Sequence, residues 1–256
     1  MKYLVIIQAR CGSSRLPSKV LKDLEGKTAL ERVVERVQKS ELVDEVVVAT
    51  TCNKEDIPIV NLVSGLGLRV FVGSSEDVLD RYYQVAKLIK PEYVIRITAD
   101  CPMIDYQIID DMIREMKSDT DYIAGMSETL ADGLDVEIMK YGVLQRAWKE
   151  ARLAHEREHV TMYIKNHKDI FKTQDYVCKF GDLRDQRWTL DETEDYEFIK
   201  AVYRHFYEIG KKDFLSRDIL QFLEGHPEIA NINKGFIRNE GLQISLKNDH
   251  LVEIED

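Results

Sequence analysis

Four short runs of apolar, largely β-branched residues, at 3–7, 45–50, 68–72 and 93–98, are separated by segments whose apolar residues recur at helical spacing. Each run is too short for a buried helix and lacks the polar alternation of a half-exposed strand. Each therefore reads as a strand covered on both faces. Between them, residues 28–40 carry Leu30, Val33, Val34 and Val37 on one stripe, and Thr28 with Glu31 forms a capping box. A second helix is expected around 56–65. A third follows Gly73-Ser74-Ser75 with Val78, Leu79, Tyr82, Val85 and Ala86 on its buried face, Ser74 or Ser75 serving as cap. This alternation predicts an α/β fold with a mainly parallel sheet and helices on both faces.

Beyond the fourth strand the pattern predicts a helix over 105–116 with Asp105 as cap, a fifth strand at 122–126, a short strand at 188–190 and a long helix burying Tyr196, Ile199, Val202, Tyr203 and Phe206. The 256 residues, 44% of them hydrophobic, suit one main domain over 1–212 and a smaller extension over 213–256. In that extension a helix starting at Ser216 precedes an apparent hairpin with strands near 242–246 and 250–254, expected to pack on the main domain or across a dimer.

The formal net charge of −10 argues against binding a nucleic acid polymer or an anionic membrane. No apolar run is long enough to span a bilayer, and the amino terminus lacks the pattern of a signal peptide. Cys11, Cys52, Cys101 and Cys178 are scattered without a C-x-x-C pair, which speaks against zinc sites and a disulfide scaffold. A cytoplasmic protein is expected.

Against this acidic background the loop after the first strand stands out. It carries Arg10, Arg15 and Lys19 around Gly12, Ser13 and Ser14, with Pro17 to stiffen it. Small residues with accessible N–H groups and fixed cations at the carboxyl end of a strand are what a polyphosphate requires. The alternative is a solvated loop in which Asp23 or Glu25 neutralises Lys19 or Lys22. Neither the Walker A pattern nor G-x-G-x-x-G is present.

The fourth strand ends in Thr98-Ala99-Asp100-Cys101-Pro102. In a parallel sheet Asp100 emerges on the same edge as the cationic loop. A carboxylate facing bound phosphates is repulsive unless a divalent cation lies between, so Asp100 is expected to bind Mg²⁺ rather than merely cap a turn. Asp191 sits at another strand-to-helix junction, where it could cap or bind metal, with Thr193 competing for the cap. Asp135 and Glu137 lie two residues apart, on one face if they form a strand.

Gln8-Ala9-Arg10, Ser13 and Arg15-Leu16-Pro17-x-Lys19 resemble the signature loop of the sugar cytidylyltransferases, the group of the CMP-Kdo and CMP-sialic acid synthetases. Within it the chain is similar to the branch called spore coat polysaccharide biosynthesis protein F. The segments R-I-T-A-D-C-P, D-V-L-D-R, G-L-D-V-E, E-H-V-T-M-Y and R-W-T-L-D-E-T-E-D extend the resemblance over most of residues 1–225. It implies a GT-A-like, Rossmann-type three-layer fold and transfer of CMP from CTP to a small sugar or sugar-acid acceptor with release of pyrophosphate, in polysaccharide or glycan biosynthesis.

It further implies a nucleotide site of Gln8, Ala9, Arg10, Gly12, Ser13, Arg15, Lys19, Thr98 and Asp100, with Arg10, Arg15 and Lys19 as its catalytic cations. Asp191 would complete a Mg²⁺ site with Asp100. Asp135, Glu137 and His159 would lie at the acceptor, Asp80 and Arg81 would be structural or rim residues, and a homodimer is expected.

Two rival motifs are present. His155-Glu156-x-x-His159 matches the zinc-protease pattern, but a third ligand is lacking, and a charged solvated helix with a partly buried His159 is the expectation. Asp119-Thr120-Asp121 is a D-x-D of the kind used by glycosyltransferases that take a nucleotide-sugar donor. It precedes a strand instead of following one and reads as accidental.

Overall fold

A computed structural model describes residues 1–252. The chain order is β1 (Tyr3–Gln8), α1 (Ala29–Val37), β2 (Glu45–Thr51), α2 (Ile57–Gly65), β3 (Arg69–Gly73), α3 (Val78–Ile89), β4 (Tyr93–Thr98), α4 (Tyr106–Glu115), β5 (Tyr122–Ala124), β6 (Glu137–Lys140), α5 (Tyr141–Glu150), α6 (Ala154–Glu158), α7 (Met162–Asn166), β7 (Thr173–Asp175), α8 (Thr193–Glu208), α9 (Ser216–Gly225), α10 (Pro227–Ala230) and α11 (Glu240–Lys247). One seven-stranded sheet runs β3-β2-β1-β4-β6-β5-β7. β1 pairs in parallel with β2 and β4, and β2 with β3, while β6 runs antiparallel to both β4 and β5.

The continuous apolar run of β1 is explained by its two covered faces. Val5 and Ile7 enter a core with α1, α2, α4 and α8, whereas Leu4 and Ile6 enter a second core with α3, α5 and α7. The sheet is thus the middle of three layers, as the alternating pattern predicts. Local signals hold too: Thr28 and Glu31 form the capping box at α1, and the Asp105 carboxylate accepts the Gln107 N–H at 2.9 Å to cap α4. The extension beyond residue 213 shares the first core, since Phe214, Ile219, Phe222 and Leu223 are buried there and Arg36 donates to the Phe214 carbonyl at 2.9 Å.

Several expectations are corrected. α3 is capped by Asp77, which accepts the Asp80 N–H at 2.8 Å, and not by Ser74 or Ser75. Residues 188–190 form no strand; only Arg187 bridges to Asp132. Residues 242–246 belong to helix α11 and not to a hairpin. Their alternation of Leu242, Ile244 and Leu246 mimics a strand, but the segment lies along no free sheet edge, and a helix satisfies its own backbone. The second strand expected there is represented by a single Leu153–Leu251 bridge, and residues 253–256 lie outside the described residues. Among the described residues, no helix is long and apolar enough to cross a membrane.

Candidate active site

A cleft of about 870 Å³ opens at the carboxyl ends of β1 and β4. Gln8 and Thr98, paired across these strands, form part of its floor, and Ala9, Arg10, Gly12, Ser13, Arg15 and Lys19 line it from the loop after β1. That loop is held from behind by Asp56, a buried carboxylate that accepts the Cys11 N–H at 2.6 Å and the Thr51 hydroxyl. The Cys11 carbonyl accepts the Ser13 and Ser18 N–H groups, so the bend is closed upon itself.

Asp100 and Asp191, 91 positions apart in the chain, converge on the Lys19 ammonium at 2.7 and 2.5 Å. Arg15 adds a contact to Asp191 at 3.1 Å. The loop and both aspartates therefore meet at one point. The cations are not free, however: Lys19 is neutralised by these aspartates and not by Asp23 or Glu25, Arg15 also meets Glu192 and Glu240 at 3.2 and 2.7 Å, and Arg10 lies 3.8 Å from Glu158. Burial alone would push the Asp100 carboxyl up, but the Lys19 charge and its hydrogen bond, with that of Thr98, hold it below the usual carboxylate range. Burial likewise disfavours charge on Lys19, yet the two carboxylates raise its affinity for the proton.

Glu192 is the N-cap residue of α8, and Asp191, one position earlier, faces the cleft. The Asp195 carboxylate, fully buried, accepts the N–H groups of Asp191 and Glu192 at 3.0 and 2.9 Å. Arg187 in turn grips Asp195 through two 2.8 Å bonds and Asp132 through one of 3.0 Å. Neither Thr193 nor Asp191 serves as the cap. The two site carboxylates form a hard-oxygen donor pair already gathered around one cation, which fits Mg²⁺ with its other positions taken by phosphate and water oxygens. Among the described residues, no group of three or more His, Cys, Asp or Glu gathers as a metal cage.

The far half of the cleft holds the remaining expected residues, Asp135, Glu137 and His159. Glu137 is almost fully buried and accepts from Arg96 at 2.5 Å, Lys165 at 2.7 Å, Thr161 at 2.8 Å and the Tyr122 hydroxyl. It lines the cleft and holds Arg96 and Lys165 in place there. Asp135 accepts from the Gly133 N–H at 3.1 Å and from Arg238 at 3.2 Å, and His159 bonds Ser245 at 2.9 Å. The helix bearing His155-Glu156-x-x-His159 is not a solvated one: His155, Glu156 and Arg157 are buried, and the His155 backbone N–H donates to the Asp249 carboxylate at 3.1 Å. Asp119 and Asp121 lie outside the cleft and pair with Lys172 and Lys140.

Arg81 is placed by the sequence reading among structural or rim residues, not among those of the nucleotide site. It is 2% exposed, lines the cleft, and its Nε and Nη1 have no hydrogen-bond partner; the Gln8 Oε1 in the same cleft is also unpartnered. The signal was a charged residue among the buried positions of the α3 stripe. Asp80, by contrast, is structural and accepts the Trp148 indole N–H at 2.8 Å.

Comparison with known proteins follows the same line. A family model described as cytidylyltransferase matches residues 4–215. An uncharacterized protein of Methanocaldococcus jannaschii is 38% identical over 91% of this chain and 95% of its own length. The spore coat polysaccharide biosynthesis protein SpsF of Bacillus subtilis is 34% identical over 89% and 96%. Among solved structures, a cytidylyltransferase of Leptospira borgpetersenii superposes with a TM-score of 0.85 and 32% identity over 93% of this chain and 99% of the other.

Proposed function

As this chain belongs to the cytidylyltransferase family, we propose that it moves CMP from CTP onto a sugar acid or related sugar, releasing pyrophosphate, in glycan or polysaccharide biosynthesis. The single observation that carries this reading is the meeting of Arg15, Lys19, Asp100 and Asp191 in one cleft. An oxygen of the acceptor attacks the α-phosphorus, the bond to the β-phosphate oxygen breaks, and pyrophosphate departs. Arg10, Arg15 and Lys19 supply donors for charge accumulating on the leaving phosphates, and the loop holds them in position before the reaction, so little reorganisation is needed. Asp100 and Asp191 would hold Mg²⁺, which neutralises phosphate charge and aligns the triphosphate when bound. To do so they must share or release the Lys19 ammonium, freeing that cation for phosphate.

The choice of cytosine rests on the family: the chain's relatives of known family are cytidylyltransferases. On the acceptor side, Arg96 and Lys165 share one carboxylate, Glu137, which holds two cations at the wall where an acidic acceptor would lie.

Incubation with Mg²⁺, each nucleoside triphosphate in turn and a panel of keto-sugar acids and neutral sugars tests the proposal. Pyrophosphate should appear with CTP and a sugar acid, and Arg15→Ala should lower turnover by about 100-fold or more. Transfer from a nucleotide-sugar without pyrophosphate, or full activity of the variant, would overturn the assignment.

A further inference from the structure

The segment from Phe236 to Leu251, which contains α11, closes one side of the cleft although it begins 45 positions downstream of Asp191. Its anchors are polar and sit at its two ends. Arg238 donates to the Leu130 carbonyl at 2.8 Å and to Asp135 at 3.2 Å; the Asp249 carboxylate accepts the His155 N–H at 3.1 Å, and the Ala154 N–H donates to the His250 carbonyl at 2.9 Å. In the middle the Ser245 hydroxyl bridges Glu158 at 2.7 Å and His159 at 2.9 Å. α11 buries none of its residues, and Ile237, Ile244, Leu246 and Leu251 stay largely exposed. A segment held by a few hydrogen bonds and little apolar burial belongs to the part of a fold that opens at low cost.

Glu240, at the first turn of α11, places a carboxylate oxygen 2.7 Å from Arg15 Nη1. Arg15 thus faces Asp191, Glu192 and Glu240 together, three carboxylates around one guanidinium. Asp191 and Glu192 belong to the junction buttressed by Asp195; Glu240 is on the weakly held segment. An anion on a displaceable segment, seated on a cation expected to take phosphate, is a competitor for that phosphate.

We propose that residues 236–251 form a strap that the nucleotide itself moves: Glu240 occupies Arg15 in the empty enzyme, the triphosphate displaces it, and the released strap resets the acceptor wall through Ser245, Glu158 and His159. Nucleotide binding and the shape of the acceptor half are then coupled. This rests on Arg15 being a triphosphate ligand, as proposed above.

The test measures binding of Mg·CTP and of tripolyphosphate, which carries the phosphates without the base, by calorimetry on the full chain. Glu240→Gln should tighten both about 2- to 5-fold, the size expected for a partly exposed ion pair. In an Arg15→Ala background the same change should have no effect. Trypsin cleavage after Arg238 or Lys247 should quicken on adding Mg·CTP. Unchanged or weaker binding by Glu240→Gln, or a gain that persists without Arg15, would overturn the strap. If wild-type protein binds tripolyphosphate but not CTP, the nucleotide reading falls, while the competition at Arg15 is still read by the tripolyphosphate arm.

Discussion

At the scale of single residues, the side chains around the cleft divide into those poised for a ligand and those that hold others in place. Glu137 is of the second kind: its carboxylate is the only anion shared by Arg96 and Lys165 among the described residues, and burial on its own would push its proton affinity up, yet these cations hold it well below the usual range. Glu137→Ala leaves two cations without an anion, and the loss should be about 3–5 kcal/mol in urea denaturation. Glu137→Gln should lose less, and a cost below about 1 kcal/mol for the alanine variant would contradict the role.

Asp132 is the opposite case. Burial first, and then the nearby Asp135, push its carboxyl up to about 7 despite Arg187. Its folded value lies above an unfolded value of about 3.9. Its contribution to stability is therefore complete below about pH 4 and is lost as pH rises to about 7. Asp132→Asn removes the titration, so its melting temperature relative to wild type should climb between pH 4.5 and 8. Parallel melting curves across that range would refute the shift.

At the scale of elements, the site depends on a non-regular segment held against another. Residues 187–191 carry Asp191 past Gly133, whose φ is +101° and whose missing Cβ would sit 2.5 Å from the Thr189 nitrogen and the Trp188 carbonyl carbon. Only glycine permits both that backbone conformation and that approach. Gly133→Ala should cost roughly 1–3 kcal/mol from the backbone strain, with more from the contact. It should also lower CTP turnover, because the displaced segment carries Asp191. A variant of wild-type stability and turnover would show that the approach is relaxed elsewhere. The start of α8 is held in the same way: Asp195, in the first turn, accepts the N–H groups of Asp191 and Glu192 and so fixes the backbone that carries Asp191 to the cleft.

At the scale of the whole molecule, the cleft draws on the first loop, α3, the end of β4, the 132–137 segment, α6 and α7, the 187–191 segment and the strap. The central strands were legible because burial on both faces demands unbroken apolar runs, and the amphipathic stripes between them admit only helices packed on that sheet. The cation loop and Asp100 were legible for a related reason: strands running in parallel put their carboxyl ends on one edge, so residues just after β1 and β4 must be neighbours. Arg81 and Asp195 were not, because a charged residue on a buried stripe looks the same in sequence whether it meets a partner, a helix end or an empty cleft. The helical form of 242–246 was hidden for another reason: period-2 alternation signals a strand only where a sheet edge waits to receive it. Local chemistry, written residue by residue, determined the layered α/β scaffold and the cation-bearing loop after β1. Which carboxylates neutralise which cations, and that Glu240 lies across the mouth, were decided only when segments more than 80 positions apart were folded together, since an ion pair depends on distance in space and not on separation along the chain.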